Sequence, residues 1–204
     1  GKMGELQKVS FGTKVAELVG DADVKAIAIG TKLYDASAMD LVIEADTQIG
    51  NGVITVYSSK CCMIHETEEV LLAERKQSCG KCTFCREGLI QLHTMVKEIT
   101  EGQGKKEFTD MMEEIGEAMT FSTPCTMGQT ASDFAMGSLK YFAGEYEDHI
   151  KKKKCANNVC SAFMSIYIDP DLCEGCEECA DVCPADAIEG KSGYIHMIDE
   201  FECT

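Results

Sequence analysis

A run of closely spaced cysteines near the middle of the chain constrains its fold more than any other feature. Cys79, Cys82 and Cys85 repeat at two-residue gaps, and Cys125 follows later in the chain. Four thiolates at such spacings hold a [4Fe-4S] cluster, because short Cys-x-x-Cys turns place several sulfurs within reach of the irons. A structural zinc site of four cysteines is the alternative, and the three-cysteine run favours iron. We therefore predict a [4Fe-4S] centre at these four residues.

A second cysteine motif lies towards the end of the sequence. We assign five cysteines there to ferredoxin-type clusters: Cys173, Cys176, Cys179, Cys183 and Cys203. The first four have the spacing of a bacterial ferredoxin, in which the fourth cysteine ligates a second cluster. That arrangement needs three more cysteines after Cys203, so we expect the native chain to continue for about fifteen residues. The alternative is a single cluster that uses Cys203 as its fourth ligand and leaves Cys183 unused.

A third set of candidate ligands lies between these two motifs. His149, Cys155 and Cys160 have side chains that typically bind zinc, and a structural zinc site needs a fourth ligand. Cys62, or its neighbour Cys61, is the spare thiol that would complete it. The alternative is a set of free cysteines with a surface histidine. The other three histidines have no partner set, and we expect ordinary structural roles for them: His65, His93 and His196.

Composition restricts the kind of protein. The chain of 204 residues has 13 cysteines, which a small secreted protein would use as disulfides. No apolar signal segment is visible at the N-terminus, and Cys-x-x-Cys clusters favour metal over disulfides. No apolar run approaches the roughly 20 residues that span a bilayer. We expect a reducing cytoplasm and no direct membrane span.

Charge bears on the partners. Thirty-five acidic against 19 basic residues give a formal net charge of −16. Phosphates would be repelled, so we expect no nucleic-acid partner. Docking to a basic patch on a redox partner fits this charge, although acidity also serves solubility alone.

The pattern along the chain predicts an α+β fold in three parts. Residues 1–60 read as strand, helix, strand and strand, which is typical of a β-grasp-like module. Residues 61–154 read as a helical bundle that carries the [4Fe-4S] cluster. Residues 155–204 read as a partial bacterial-ferredoxin-like domain that is truncated at its C-terminus.

Local patterns place the individual elements. We expect strands at 6–11, 24–29, 52–57 and 195–198, and short helices at 13–19 and 185–188. Apolar residues recur at intervals of three and four in three stripes, which predicts amphipathic helices that pack as four antiparallel members of a bundle. The stripes are Leu89, Leu92, His93, Val96 and Ile99; Met111, Met112, Ile115 and Met119; and Ala135, Leu139, Phe142, Tyr146 and Ile150.

The first cysteine motif also carries a family resemblance. The run from Ser78 to Gly88 resembles the iron–sulfur motif of the NADH-oxidising flavoprotein subunit of respiratory complex I. It is most similar to the beta subunit of electron-bifurcating, NADH-linked iron-only hydrogenases and related formate dehydrogenases. Gln77 and Phe84 depart from the family's Glu and Pro. Cys125 begins a Cys-Thr-Met-Gly run that matches the family loop with the fourth ligand.

The resemblance implies a function for the whole chain. It identifies the first 58 residues as the family's SLBB domain and the chain as the C-terminal part of such a subunit. It also implies zinc at Cys62 and the later His-Cys-Cys set, which these beta subunits share. FMN and NADH would bind outside this chain, because no Gly-rich nucleotide loop occurs in it. The expected partners are a flavoprotein, a [2Fe-2S] thioredoxin-like subunit, and a hydrogenase, formate dehydrogenase or other reductase.

We therefore expect an iron–sulfur electron-transfer subunit or fragment, with no catalytic residues of its own. Electrons would pass between a flavin/NADH site and the clusters of partner subunits. One alternative is the C-terminal part of a full FMN-containing NADH dehydrogenase subunit in a bifurcating complex. The other is a non-redox scaffold that metals stabilise.

Overall fold

The computed structural model describes residues 7–164, 166–199 and 202–203, and the chain divides into two compact units at Phe163. The first unit contains α1 (Val15–Val19), β1 (Ala26–Ile29), β2 (Lys32–Asp35), β3 (Ile54–Tyr57), α2 (Met63–Gln77), α3 (Thr83–Thr100), α4 (Glu107–Ser122), α5 (Thr126–Thr130), α6 (Asp133–Tyr141) and α7 (Ala143–Glu147). The second unit contains α8 (Glu178–Asp181), β4 (Ile188–Glu189) and β5 (Met197–Ile198).

A three-stranded antiparallel sheet forms the core of the N-terminal module. β1 lies between β2 and β3, and all four of its side chains are buried. Successive residues of a strand face opposite sides, so Ile27 and Ile29 pack with Val15 of α1. Ala26 and Ala28 face the other way, in a cluster with Phe134 of α6. A central strand covered on both faces explains why its sequence is continuously apolar.

The α6 helix fixes this sheet to the helical part of the unit. A Cβ atom at Gly137 would lie 2.5 Å from the carbonyl oxygen of Leu33 in β2. Only glycine therefore allows α6 to lie this close to the backbone of the sheet. The joint between sheet and helices depends on a position that has no side chain.

The helical part follows the predicted stripes. All five residues of the first stripe are buried in α3, and the helix is followed by Gly102 in the left-handed conformation. In the second stripe Met112 and Met119 are buried in α4, but Met111 is 45% exposed, so its predicted core position is wrong. Position 111 points to solvent because the buried face of α4 follows positions 108, 112, 116 and 119.

The helix predicted from the third stripe, Ala135 to Ile150, is interrupted. Phe142 leaves the helical conformation between α6 and α7, and α7 continues into a π-helical turn at Asp148–Lys152. A single π-helical turn often accompanies a functional site because it displaces one side chain from the regular spiral. His149 lies in this turn and is buried.

Two other predictions differ from the structure, and one strand of the structure was not predicted. Residues 7–10 form no strand and residues 11–12 form a turn, so the strand at 6–11 is wrong over its described residues; residue 6 lies outside them. The strand β2 was not predicted, because its single buried residue, Leu33, gives too weak an alternation. Residues 185–188 form a turn and the start of β4, since Asp186 adopts a left-handed conformation that ends any helix.

The second unit has little regular structure. β4 and β5 pair antiparallel, with Ile188 opposite Ile198, and the predicted strand at 195–198 is realised only as β5. Within the part of the chain that the structure describes, none of the helices combines the length and apolarity of a bilayer span.

Candidate metal centres

The four cysteines of the first motif converge at the ends of helices. Cys82 immediately precedes α3, Cys85 lies in its first turn, and Cys125 immediately precedes α5. Partial desolvation raises the pKa of the Cys82 thiol, and the nearby charges of Cys125, Cys79 and Cys85 raise it further. The other three thiols therefore lie close enough to Cys82 for their charges to act on it, and four cysteines are the ligand set of a [4Fe-4S] cluster.

Burial divides this group into an inner and an outer side. Cys85 is buried against the helical core, Cys82 is half-buried, and Cys79 and Cys125 are exposed. A cluster bound here would have one edge near solvent and the other in the core. An exposed edge is the side on which an electron-transfer partner can approach.

Polar groups shape the loop that carries the motif. The Ser78 hydroxyl lies 3.4 Å from Cys85 Sγ and accepts a hydrogen bond from the Gly80 N–H at 3.3 Å. The Gly80 N–H is therefore satisfied within the loop itself. Arg86 donates to the Gly80 carbonyl at 2.9 Å and pairs with Glu87, so part of its charge is already balanced.

A second group of ligands lies in the helical part of the same unit. The ligand atoms of Cys62, His149, Cys155 and Cys160 all lie within 4.8 Å of one another, and all four residues are buried. His149 Nε2 lies 3.5 Å from the Sγ atoms of both Cys62 and Cys160, which are 3.8 Å apart. The alternative of a surface histidine is wrong, since His149 is 1% exposed. Cys61 is half-buried beside Ser58 and is outside the group.

The imidazole of His149 is held in one orientation. Its Nδ1–H donates to the backbone carbonyl of Glu145 at 2.8 Å, which directs Nε2 towards the thiols. Phe163 packs edge-on against the ring, with 5.0 Å between centroids. A fixed ring whose second nitrogen donates to a carbonyl is typical of a metal-binding histidine.

The charges in this buried group are strongly coupled. A hydrogen bond from the Cys160 thiol lowers the pKa of Cys62, and the same bond together with burial raises the pKa of Cys160. Burial lowers the pKa of His149, but its hydrogen bond to Cys62 and the thiolate charge outweigh burial and raise it to about 9. Without a cation, one thiolate and one imidazolium therefore balance each other here. A divalent cation would satisfy the same charges directly.

The loop between Cys155 and Cys160 is held through Asn157, which lies within it. The Asn157 side chain donates to the Ser59 carbonyl at 2.6 Å. Lys25 Nζ lies 3.3 Å from Asn157 Oδ1 and 2.6 Å from Glu145 Oε1, with which it forms an ion pair. No sequence signal identified these residues, because they lie far apart along the chain and are of common types.

The ferredoxin-type cysteines lie in the second unit. Cys173, Cys179, Cys183 and Cys203 are half-buried and Cys176 is exposed. The backbone N–H of His196 donates to Cys173 Sγ at 3.5 Å, and the His196 imidazole lies 3.9 Å from the same sulfur. The expectation that His196 has no partner is wrong. Its partner lies 23 residues away, beyond the reach of a spacing argument.

The other two histidines outside the ligand sets differ from each other. His93 is buried in α3, and its Nδ1 lies 2.6 Å from Nη1 of Arg75. Burial lowers the pKa of His93, and the charge of Arg75 lowers it further. His93 is therefore a buried residue of the helical core. His65 is half-buried at the start of α2.

Comparison with known proteins assigns both cysteine-bearing segments. Residues 66–149 match the NADH-ubiquinone oxidoreductase-F iron-sulfur binding region, and residues 166–189 match the 4Fe-4S binding domain. Among curated proteins, the NADP-reducing hydrogenase subunit HndC of Solidesulfovibrio fructosivorans is 34% identical over 148 residues, covering 72% of this chain. The F subunit of NADH-quinone oxidoreductase in Streptomyces coelicolor is 30% identical over 111 residues, covering 54% of this chain.

A solved structure shares the fold. The crystal structure of an NAD+-reducing [NiFe]-hydrogenase in the H2-reduced state matches with a TM-score of 0.65 at 18% identity, over 69% of this chain and 26% of that chain. The present chain spans about 30% of the length of HndC and about 25% of the length of the Streptomyces relative.

The fold and the cysteine-bearing segments define an iron–sulfur protein of α+β architecture. The chain belongs to the family of NADH-oxidising flavoprotein subunits and corresponds to their C-terminal, iron–sulfur-binding part. Both matched segments are iron–sulfur-binding regions, which together contain Cys79, Cys82, Cys85, Cys125 and the first four cysteines of the ferredoxin motif.

Proposed function

We propose that this chain relays electrons between a flavin that oxidises NADH, located outside the chain, and iron–sulfur clusters of partner subunits. The match of residues 66–149 to an iron–sulfur binding region, which contains the four cysteines of the first motif at the ends of helices, carries this proposal. When bound there, a [4Fe-4S] cluster supplies one-electron redox chemistry, and the protein supplies position and electrostatics. In this proposal Cys79, Cys82, Cys85 and Cys125 are the ligands.

The buried Cys/His group is proposed to hold zinc. Tetrahedral zinc, with Zn–S of about 2.3 Å and Zn–N of about 2.0 Å, separates two sulfurs by about 3.8 Å and sulfur from nitrogen by about 3.5 Å. The observed distances from Cys62 Sγ are 3.8 Å to Cys160 Sγ and 3.5 Å to His149 Nε2. With Cys155 the group supplies four protein ligands, which is typical of a structural site with no open position.

The second unit is proposed to carry one or two ferredoxin-type clusters. The match at residues 166–189 covers Cys173, Cys176, Cys179 and Cys183. Cys203 is either a ligand of a second cluster or the fourth ligand of a single one. Both arrangements use the first three cysteines together, so both place a cluster beside Cys173.

The organisation and setting are proposed on the same basis. The three-stranded N-terminal module, residues 1–60, is assigned to the SLBB type, with the helical domain at 61–154 and the ferredoxin-like domain at 155–204.

The relatives are subunits of a hydrogenase and of NADH-quinone oxidoreductase, so we propose partner subunits of those kinds. Cysteines spaced for metal binding support the proposal of a reducing, cytoplasmic setting. Electron bifurcation is proposed from the resemblance alone.

Metal analysis and EPR of the anaerobically purified chain test this function. We expect more than four irons, matching sulfide, one zinc, and EPR signals after dithionite reduction. Cys82→Ser should remove the signal and iron of one cluster and stop electron flow from a reduced flavoprotein to an acceptor. Cys61→Ser is the matched control, since Cys61 is in neither ligand set. Zinc without iron, or an unchanged signal in the Cys82 variant, would contradict the proposal.

A further inference from the structure

The strand β5 region of the second unit presents its side chains in an unusual order. His196 is 1% exposed, whereas its neighbours Ile195 and Met197 are 52% and 69% exposed. Successive residues of an extended chain face opposite sides, so burial of the histidine forces two apolar side chains into solvent. Hydrophobic burial alone would favour the opposite register. Another interaction of His196 must therefore account for its buried position.

The interaction that His196 makes is with a cysteine of the ferredoxin motif. Its backbone N–H donates to Cys173 Sγ at 3.5 Å, and its Nδ1 lies 3.9 Å from the same sulfur, at the outer limit of a hydrogen bond to sulfur. The Cys173 sulfur thus has both a backbone N–H donor and a ring nitrogen of the same residue beside it.

The position of the imidazole is fixed by the main chain. A Cβ atom at Gly190 would lie 2.2 Å from Cδ2 of His196 and 2.5 Å from its Cγ. The ring therefore lies directly against the backbone of Gly190, where only glycine leaves room for it. A ring held in this way keeps Nδ1 beside the sulfur without the entropic cost of ordering a mobile side chain.

The other ring nitrogen indicates that this arrangement does not serve stability. His196 Nε2 is buried and has no hydrogen-bond partner among the described residues. A buried polar atom without a partner costs free energy, so such an atom calls for an explanation. An apolar side chain of similar size would avoid this cost, and the contact that it would lose is the one to Cys173.

We infer that His196 is a positioning residue that sets the reduction potential of the cluster bound through Cys173. Hydrogen bonds to ligand sulfur stabilise the reduced cluster, because they disperse the negative charge that reduction adds. The imidazole therefore raises the potential of this centre above the value that backbone donors alone would give. The inference rests on the proposed ferredoxin-type centre and assigns His196 a role towards it through hydrogen bonding, without ligation.

Two variants with the same number and branching of side-chain heavy atoms separate hydrogen bonding from packing. H196N keeps an N–H donor near the position of Nδ1, and H196L has nearly the shape of the Asn variant but no donor. The measurement is an EPR-monitored redox titration of the full chain, with iron content as a second readout. At a fixed applied potential, H196L should show about a tenfold lower ratio of reduced to oxidised centre. For one electron this corresponds to a reduction potential about 59 mV lower than in the wild type. H196N and the exposed-residue control Y194F should remain close to the wild type.

Each remaining outcome decides against the inference. Equal potentials in H196L and the wild type would overturn it and leave the proposed function standing. Loss of the centre from both H196L and H196N would also overturn it, because His196 would then be a ligand or a requirement for assembly. A wild-type chain with no second EPR signal and only about four irons would overturn the ferredoxin part of the proposed function as well.

Discussion

The ammonium group of Lys25 lies 2.6 Å from Glu145 Oε1 and joins the N-terminal sheet to the helix before the buried Cys/His group. The other oxygen of this carboxylate accepts the backbone N–H of Met63 at 3.0 Å. The backbone carbonyl of Glu145 orients His149, so one residue contacts the sheet, helix α2 and the proposed zinc site. Loading of the zinc site and docking of the sheet are therefore expected to depend on each other.

Removal of the Lys25 charge tests this coupling. Lys25→Met leaves a carboxylate unpaired at a site where both side chains are only 18% exposed, and we expect a loss of about 1–3 kcal/mol. Chemical denaturation of the metal-loaded chain measures this loss. Lys14→Met is the matched control, because its ion pair with Asp40 is largely exposed and worth about 0–1 kcal/mol. Equal losses in the two variants would argue against a special role for the Lys25 pair.

The buried Cys/His group predicts a specific pattern of metal loss. Cys62→Ser removes one of four ligands, and we expect less than one tenth of the wild-type zinc content after dialysis against a chelator. Elemental analysis measures it, and Cys61→Ser should retain its zinc because Cys61 lies outside the group. Retention of zinc by the Cys62 variant would remove Cys62 from the ligand set.

The close contact between α6 and β2 predicts unequal effects of the same substitution at two helical glycines. Gly137→Ala places a methyl group 2.5 Å from the Leu33 carbonyl oxygen, and the backbone must shift at a cost of about 1–3 kcal/mol. Gly144→Ala meets nothing within 4 Å and should stabilise α7 by up to about 1 kcal/mol. Thermal melts of the two variants should shift in opposite directions. A Gly137 variant as stable as the wild type would show that the sheet and α6 can separate without cost.

The Ser78 hydroxyl predicts an effect on the first cluster. Ser78→Ala removes a hydroxyl 3.4 Å from Cys85 Sγ and also frees the Gly80 N–H. If the hydroxyl donates to the sulfur, the cluster potential should fall by a few tens of millivolts, the equivalent of about 1 kcal/mol. EPR-monitored titration measures it, with Ser10→Ala at an exposed position as the control. A potential that stays constant would assign the hydroxyl to the loop alone.

Much of the fold follows from local patterns. The α3 stripe predicts its buried face correctly, because the apolar residues recur with the helical period over about three turns. Val24 to Ile29 and Gly52 to Tyr57 predict β1 and β3, since short β-branched runs bounded by turn residues need no distant information. The wrongly predicted strand at 6–11 and the missed strand β2 are short segments, and their patterns are too brief to distinguish a strand from a loop.

The helix predicted at 185–188 shows the limit of local reasoning. The segment follows a proline and contains two alanines, which favours a helix start. In the structure Ala187 is buried and its carbonyl accepts the N–H of Asp199 at 2.7 Å, next to the pairing of β4 with β5. Pairing with a distant strand outweighs a weak helical propensity.

Cysteine spacing alone indicates iron–sulfur chemistry for this protein. Such spacing is a local property, and a thiolate motif must satisfy the same metal geometry in any fold. The groups that surround those thiolates depend instead on how the chain packs in three dimensions. His196 meets Cys173, and Lys25 meets Glu145, across 23 and 120 residues of chain respectively. Such contacts arise from packing of the whole domain, and the residue types involved are too common for any spacing to reveal them.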